Sequence, residues 1–139
     1  MGRNAEALFE MRRAESIDPL SLVNRADLAD ALCVAHLFDE AVQQSEKTLA
    51  LDPNFGLGHF YMGQALVQQH QYEGAIMEFQ KAIELSGHLT TFDANLANAY
   101  ALSGHRPEAI AIARDLEANS NLNSSADANV ALILSLIHI

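Results

Sequence analysis

Along this chain apolar side chains recur every three or four positions, the period of one helix face and not the alternation of a strand. The helical stretches come in pairs. The apolar stripe breaks at Leu37, Gln71 and His105, which places a turn between the two helices of each pair. Pro19 and Pro53 end the second helix, because proline has no N–H to donate and pushes the residue before it out of the helical region. Gly87 ends the corresponding helix further on. Asp39 with Glu40, Glu73, and Glu108 follow the breaks at once, in the first helical turn, where they face the positive end of the helix dipole. Pro107 suits the same location, and Thr90 with Asp93 reads as a capping pair for another helix start.

The pattern repeats at an interval of 34 residues, the kind of period that marks a stacked array. Ile17-Asp18-Pro19 returns as Leu51-Asp52-Pro53, and Leu85-Ser86-Gly87 holds the next step. Ala7, Ala41, Ala75 and Ala109 form a ladder, each followed by an aliphatic residue. Further ladders run Leu28, Met62, Leu96, Val130; Ala29, Gly63, Ala97, Ala131; and Leu32, Leu66, Tyr100, Leu134. The small residues let helix backbones approach where they cross, and the larger members fill the space beside them. Bulk introduced there costs about 1–3 kcal/mol.

These ladders resemble tetratricopeptide repeats. In residues 56–89 the family's small, aromatic and alanine positions read Gly63, Leu66, Tyr72, Ala75, Phe79 and Ala82. Residues 22–55 keep Leu28, Ala29, Leu32, Phe38, Ala41 and Pro53 but place Ser45 and Thr48 where apolar residues are expected. Residues 90–123 keep Leu96, Ala97, Tyr100, Gly104 and Ala109 and lack the final proline. Residues 1–19 resemble only the second helix of a repeat, and residues 124–139 only the first helix of another. The resemblance implies an all-α fold: a right-handed α-solenoid of antiparallel helix pairs, with three full units and a half unit at each end. It also implies a non-catalytic scaffold that binds a protein, as a peptide or helix, in a concave groove. Leu51-Asp52-Pro53-Asn54-Phe55, His59-Phe60 to Gly63-Gln64, and Lys81-Ala82-Ile83 to Ser86-Gly87 resemble the arrays of larger bacterial signalling and regulatory proteins, such as winged-helix activators, serine/threonine kinases and nucleotide cyclases.

Composition narrows the function. Of 139 residues, 50% are hydrophobic, which argues against disorder despite a net charge of −10. Eight basic against eighteen acidic residues disfavour direct binding to nucleic-acid phosphates. Cys33 stands alone, so it has no disulfide, redox or zinc-site partner of its own kind. The opening residues have no apolar core of a signal peptide. The apolar stretch 128–139 falls short of the roughly 18 residues a membrane span requires. A soluble, cytoplasmic protein with no membrane contact in this segment is expected.

No nucleophile motif, phosphate-binding glycine loop or acid–base pair is found, so no catalytic residue and no cofactor is expected. His36 and His70 are equivalent positions one interval apart. Neighbouring helix pairs place equivalent residues about 8–10 Å apart, too far for ligands that each need to lie about 2.1 Å from one zinc. Turn positions explain them, and no metal site is expected. Asp39 and Glu40 are adjacent on a helix and do not face each other.

The first helices offer the functional candidates. Their second, fifth and ninth positions, which line the concave surface in the family, hold Val23, Ala26, Asp30; Leu57, Phe60, Gln64; and Thr91, Ala94, Asn98. The expected groove is a polar column of Asp30, Gln64 and Asn98 beside an apolar patch of Leu57 and Phe60. Family members that capture a C-terminal carboxylate use Lys, Arg and Asn there, whereas this chain offers Asp27 and Asp30, which argues against that ligand. The alternative is a structural self-assembly array without a separate ligand.

Two readings stand for the chain's end. Ser135-Leu136-Ile137-His138-Ile139 resembles a tail recurring in conceptual translations of sequencing-library adapter, which would put the natural protein's departure near Leu134. As written, residues 128–139 form an apolar helix without a partner, and self-association or fraying is expected there. Light scattering should show an oligomer, or hydrogen exchange a poorly protected C-terminal helix. A monomer with that helix fully protected contradicts both.

Overall fold

The computed structural model describes residues 2–119 and Ser135, and among these it forms seven helices and no strand. The expectations for residues 120–134 and 136–139, including Val130, Ala131 and Leu134, lie outside the described residues. The helices are α1 (Gly2–Ile17), α2 (Leu22–Val34), α3 (Phe38–Leu51), α4 (Gly56–Gln68), α5 (Tyr72–Ser86), α6 (Thr90–Leu102) and α7 (Arg106–Asn119). Helix starts recur at the 34-residue interval, at Leu22, Gly56 and Thr90 and again at Phe38, Tyr72 and Arg106. The stops follow from the punctuation: α1 and α3 end two residues before Pro19 and Pro53, and α5 ends against Gly87 at φ 86°.

Each turn inside a pair closes in the same way. Leu37 N–H donates to Leu32 O at 2.9 Å and His36 N–H to Cys33 O at 3.0 Å; Gln71 and His70, then His105 and Gly104, repeat the two bonds. This closure needs one left-handed residue after the helix, supplied by His36 (φ 61°), His70 (φ 60°) and Gly104 (φ 87°). An L side chain there costs about 1–2 kcal/mol, so the two histidines occupy a glycine position. Starts are less uniform. Ser21 Oγ accepts from Asn24 N–H at 3.2 Å and caps α2. The expected Thr90–Asp93 cap does not form: Leu89 is the residue before α6, and Asp93 Oδ1 lies 2.9 Å from His88 Nδ1.

α2 packs on α3, α4 on α5 and α6 on α7, and each pair stacks on the next through α3–α4 and α5–α6. The first helices also touch along the stack, α2 on α4 and α4 on α6, whereas the backbones of α1, α3, α5 and α7 do not approach one another. The stack therefore curves, with α2, α4 and α6 on its inner side. This is an all-α solenoid.

At its centre lies the small-residue ladder. Ala41, Ala75 and Ala109 on the second helices are fully buried, Ala29, Gly63 and Ala97 on the first helices are buried too, and Ala97 shares a cluster with Ala109. Phe79, fully buried, fills the space left by Gly63, so close that a β-carbon at Gly63 would stand 2.6 Å from its ring. Phe60 and Phe92 extend this core, their rings stacked at 4.6 Å. In the preceding pair, Ser45 takes the place equivalent to Phe79 and is buried with its hydroxyl unpaired among the described residues. Its neighbours form a polar chain instead: Thr48 Oγ1 donates to Gln44 O, Gln44 Nε2 to Glu15 Oε1, and Arg25 pairs with the same carboxylate at 3.0 Å. Those bonds tie α1, α2 and α3 together where the next pair uses an aromatic ring.

Gly63→Ala should destabilise the fold by about 1–3 kcal/mol, since neither Phe79 nor the α4 backbone has room to withdraw. Gly74→Ala, whose β-carbon would meet only Leu66 Cδ1 at 3.5 Å, should be neutral or stabilising by about 0.5 kcal/mol through helix propensity. Urea unfolding midpoints of the two variants check the contrast.

Candidate functional site

The inner surface is built by side chains of the first helices that the core does not use. At 3.6 residues per turn, the second, sixth, ninth and thirteenth positions of each first helix fall within about 60° of arc, and the fifth lies about 60° from the second, outside that stripe. The structure follows this geometry. Val23 and Leu57, at the second position, are exposed, and Asp30, Gln64 and Asn98, at the ninth, are half-buried. The fifth position holds Ala26, Phe60 and Ala94, all buried.

Phe60 is therefore not the exposed groove residue expected from the sequence. It is 4% exposed, stacked on Phe92 of α6 and near Phe79 of α5. Its position turns toward the next helix pair, and the stack of pairs covers it. Replacing Phe60 by Ala would excavate the core and reports nothing about a ligand. Leu57 remains exposed but does not line the cavity that the polar residues share.

Asp30, Gln64 and Asn98 do come together. With Gln68, Asn95 and the apolar Val67 they line one open cavity of about 250 Å³ along α2, α4 and α6. None of Asp30, Gln64, Gln68 and Asn98 hydrogen-bonds through its side chain to any described residue, while Asn95 donates only to Thr91 O. The row thus keeps amide and carboxylate groups free toward the groove. Gln68 and Asn95 are not among the sequence candidates, yet their signal is present: stepping 34 residues from Asp27 gives Tyr61 and Asn95, and from Val34 gives Gln68 and Leu102.

Charge is concentrated at the α2 end. Burial raises the Asp30 carboxyl above its usual range, and Asp27 adds to the rise. Burial and then Asp30 push the Cys33 thiol up to about 11. Burial, Asp30, Asp27 and Cys33, in that order, raise the Tyr61 hydroxyl. No Lys, Arg or His lines this cavity, so among the described residues the negative field there is unneutralised.

The other chemical candidates are used structurally. Glu40 pairs with Arg12 at 2.8 Å, and Asp39 accepts from Gln69, both links between successive second helices or their turns. His59 lies between Glu78 Oε2 (2.6 Å) and Pro53 O (2.7 Å), joining α4 to α5 and to the preceding turn. Among the described residues no three His, Cys, Asp or Glu side chains converge on a metal position. No described helix is long and apolar enough to cross a membrane.

With its pKa raised from 9.0 to about 11, Cys33 should hold about 100-fold less thiolate at pH 8 than an unperturbed thiol, one decade per pKa unit. Iodoacetamide should alkylate it about tenfold more slowly, since the rise in thiolate nucleophilicity with pKa offsets part of the lost thiolate, with the rate climbing with pH below about pH 11, and Asp30→Asn should accelerate it. A rate equal to that of free cysteine at pH 8 contradicts the electrostatic picture.

No protein-family model and no curated protein matches the sequence. Solved structures do. A thermophilic TPR protein of Thermus thermophilus superposes with a TM-score of 0.84 at 16% identity, over 96% of this chain and 74% of that one. YrrB, described as a TPR protein with an unusual peptide-binding site, gives 0.72 at 18% identity, over 89% and 64%. A tetratricopeptide repeat protein from Parabacteroides merdae gives 0.82 at 17%, over 99% of this chain and 54% of that one. Sequence identity at this level speaks to architecture alone, and with the 34-residue recurrence of helices and turns it leads to one conclusion: the chain has the tetratricopeptide-repeat fold.

Proposed function

We propose that the chain is a non-catalytic protein-interaction module whose inner groove binds a peptide or helix of a partner protein. One observation carries the reading: Asp30, Gln64 and Asn98, one from each first helix at equal intervals, line a single cavity with their polar groups unspent. Such a row can bond to the backbone or polar side chains of a segment laid across the helices. Half-burial makes these groups more valuable to a ligand than fully solvated ones, because less water has to be displaced for each bond. Leu57, exposed on the same face, offers an apolar contact at the rim. The resemblance to YrrB, described as having a peptide-binding site, supports the same use of the fold.

In this reading the chain comprises repeat units at residues 22–55, 56–89 and 90–123 with a half unit on either side, and belongs to a larger cytoplasmic signalling or regulatory protein of bacteria. The array would hold a partner while another part of that protein acts. A second reading, self-assembly without a separate ligand, draws on the exposed apolar residues Phe9, Ile17, Leu20 and Val23 at the first end of the stack.

Affinity capture followed by mass spectrometry separates the two. Gln64→Ala with Asn98→Ala should reduce retention of the partner at least tenfold while light scattering shows an unchanged oligomeric state. Unchanged capture by this double variant overturns the groove. Loss of assembly on replacing Phe9 and Leu20 by polar residues, with no captured partner, favours the second reading.

A further inference from the structure

The row of free polar groups on the inner side has a step, and that step selects a ligand conformation. Asp30, Gln64 and Asn98 are the ninth residues of α2, α4 and α6, three first helices that touch in that order. Helices in contact lie about 8–10 Å apart, so the row offers a polar group at about that interval. The cavity they share is walled by α2, α4 and α6, each packed on its own second helix, and does not turn on which helices precede α1 or follow α7.

A bound segment meets all three groups only if its own repeat on one side matches that step. In a β-strand, residues three apart span about 10 Å but point to opposite sides, and residues two apart span only about 6–7 Å. A polyproline II helix has three residues per turn and rises about 3.1 Å per residue, so every third residue returns to one side after about 9.3 Å. An α-helix returns after seven residues, about 10.5 Å, but its backbone groups are already bonded to one another and it docks through an apolar face. The floor here is polar. Asp30, Gln64, Gln68 and Asn98 keep their polar groups free, and of the described residues lining the cavity only Val34 and Val67 are aliphatic. A polyproline II segment has no internal hydrogen bonds, which leaves its carbonyls open to the amide N–H groups of Gln64, Gln68 and Asn98.

Donor and acceptor chemistry then orders the segment along the groove. Gln64 and Asn98 can donate to a carbonyl, whereas the ionised Asp30 only accepts. The occupant therefore needs a donor at the α2 end, and a proline backbone supplies none. Asp27 raises the cost of a charge on Asp30, so a cation gains more there than a neutral N–H does. Tyr61, half-buried on the inner stripe of α4 and within electrostatic reach of Asp30, gives a proline ring an aromatic face.

We propose that the inner groove takes a proline-rich segment of a partner protein in the polyproline II conformation, with a Lys or Arg at Asp30 and every third residue facing first Gln64 and then Asn98. The assignment rests on the groove being the binding surface and adds the ligand's conformation and charge register.

Selection of displayed random 12-residue peptides on the full chain, followed by fluorescence anisotropy of synthesised selected peptides, tests it. Recovered peptides should be rich in proline and carry a Lys or Arg toward one end. Inserting one residue between that cation and the rest of the peptide breaks the three-residue register and should weaken binding about tenfold or more. Asp30→Asn should weaken the basic peptide by a similar factor and leave its counterpart with Gln in place of the cation unchanged. Glu46→Gln with Asp115→Asn, exposed elsewhere, should change neither, which separates the groove from the general pull of a chain of charge −10. Peptides that lose binding to Gln64→Ala with Asn98→Ala, but show helical apolar spacing, tolerate the insertion or ignore Asp30→Asn, overturn this ligand and leave the groove standing. Peptides indifferent to that double variant, with circular dichroism showing it folded, overturn the groove as well. If no peptide is recovered this ligand is overturned, and affinity capture with the double variant decides the groove.

Discussion

Everything in this solenoid depends on how closely two helices of a pair can approach. Ala29, Gly63 and Ala97 on the first helices and Ala41, Ala75 and Ala109 on the second, all buried, keep side-chain bulk out of the pair interface. The consequence is clearest at Gly63, where the Phe79 ring occupies the volume a β-carbon would need. Close approach brings α4 and α5 near enough for one aromatic ring to serve both, and the same ring lies against Phe60, which stacks on Phe92 of the next pair. A local constraint inside one pair thus becomes the packing between pairs. Dense interiors transmit such constraints because they contain few voids to absorb a displacement.

The curvature of the stack follows from the same division of labour. First helices touch one another along the inner side, and second helices are separated by them on the outer side. Residues on the inner stripe are therefore held close together without being buried, which is how Asp30, Gln64 and Asn98 come to share one cavity though they are 34 residues apart in sequence. The first pair departs from this scheme. Ser45 and Thr48 replace apolar residues, and a chain of bonds through Gln44, Glu15 and Arg25 links α1 to α2 and α3 in their stead. Directional bonds fix α1 against its neighbours at the end of the stack where the acidic cavity opens.

Turn geometry is largely readable from the residues. Proline and glycine mark helix stops through the backbone alone, and the 34-residue recurrence identifies His36 and His70 as occupants of a turn position. Their φ of about 60° agrees with Gly104 at the equivalent place. Thr90 with Asp93 does not make the expected cap because capping depends on which residue leaves the helical region first, a difference of one position. Leu89 holds that place, and Asp93 turns to His88.

The sequence by itself determined the helical period, the pairing of helices, the 34-residue interval and the small-residue crossings. Each is a property of neighbours along the chain or of a position repeated at fixed spacing, so no knowledge of the third dimension was required. The tertiary structure alone decided which members of the inner face remain open. Phe60 and Gln64 lie on the same helix four residues apart. One is covered by Phe92 of α6 and the other is left facing the groove. Helical periodicity sets Phe60 outside the stripe that carries Gln64, but only the stacking of α6 on α4 puts a cover over that side.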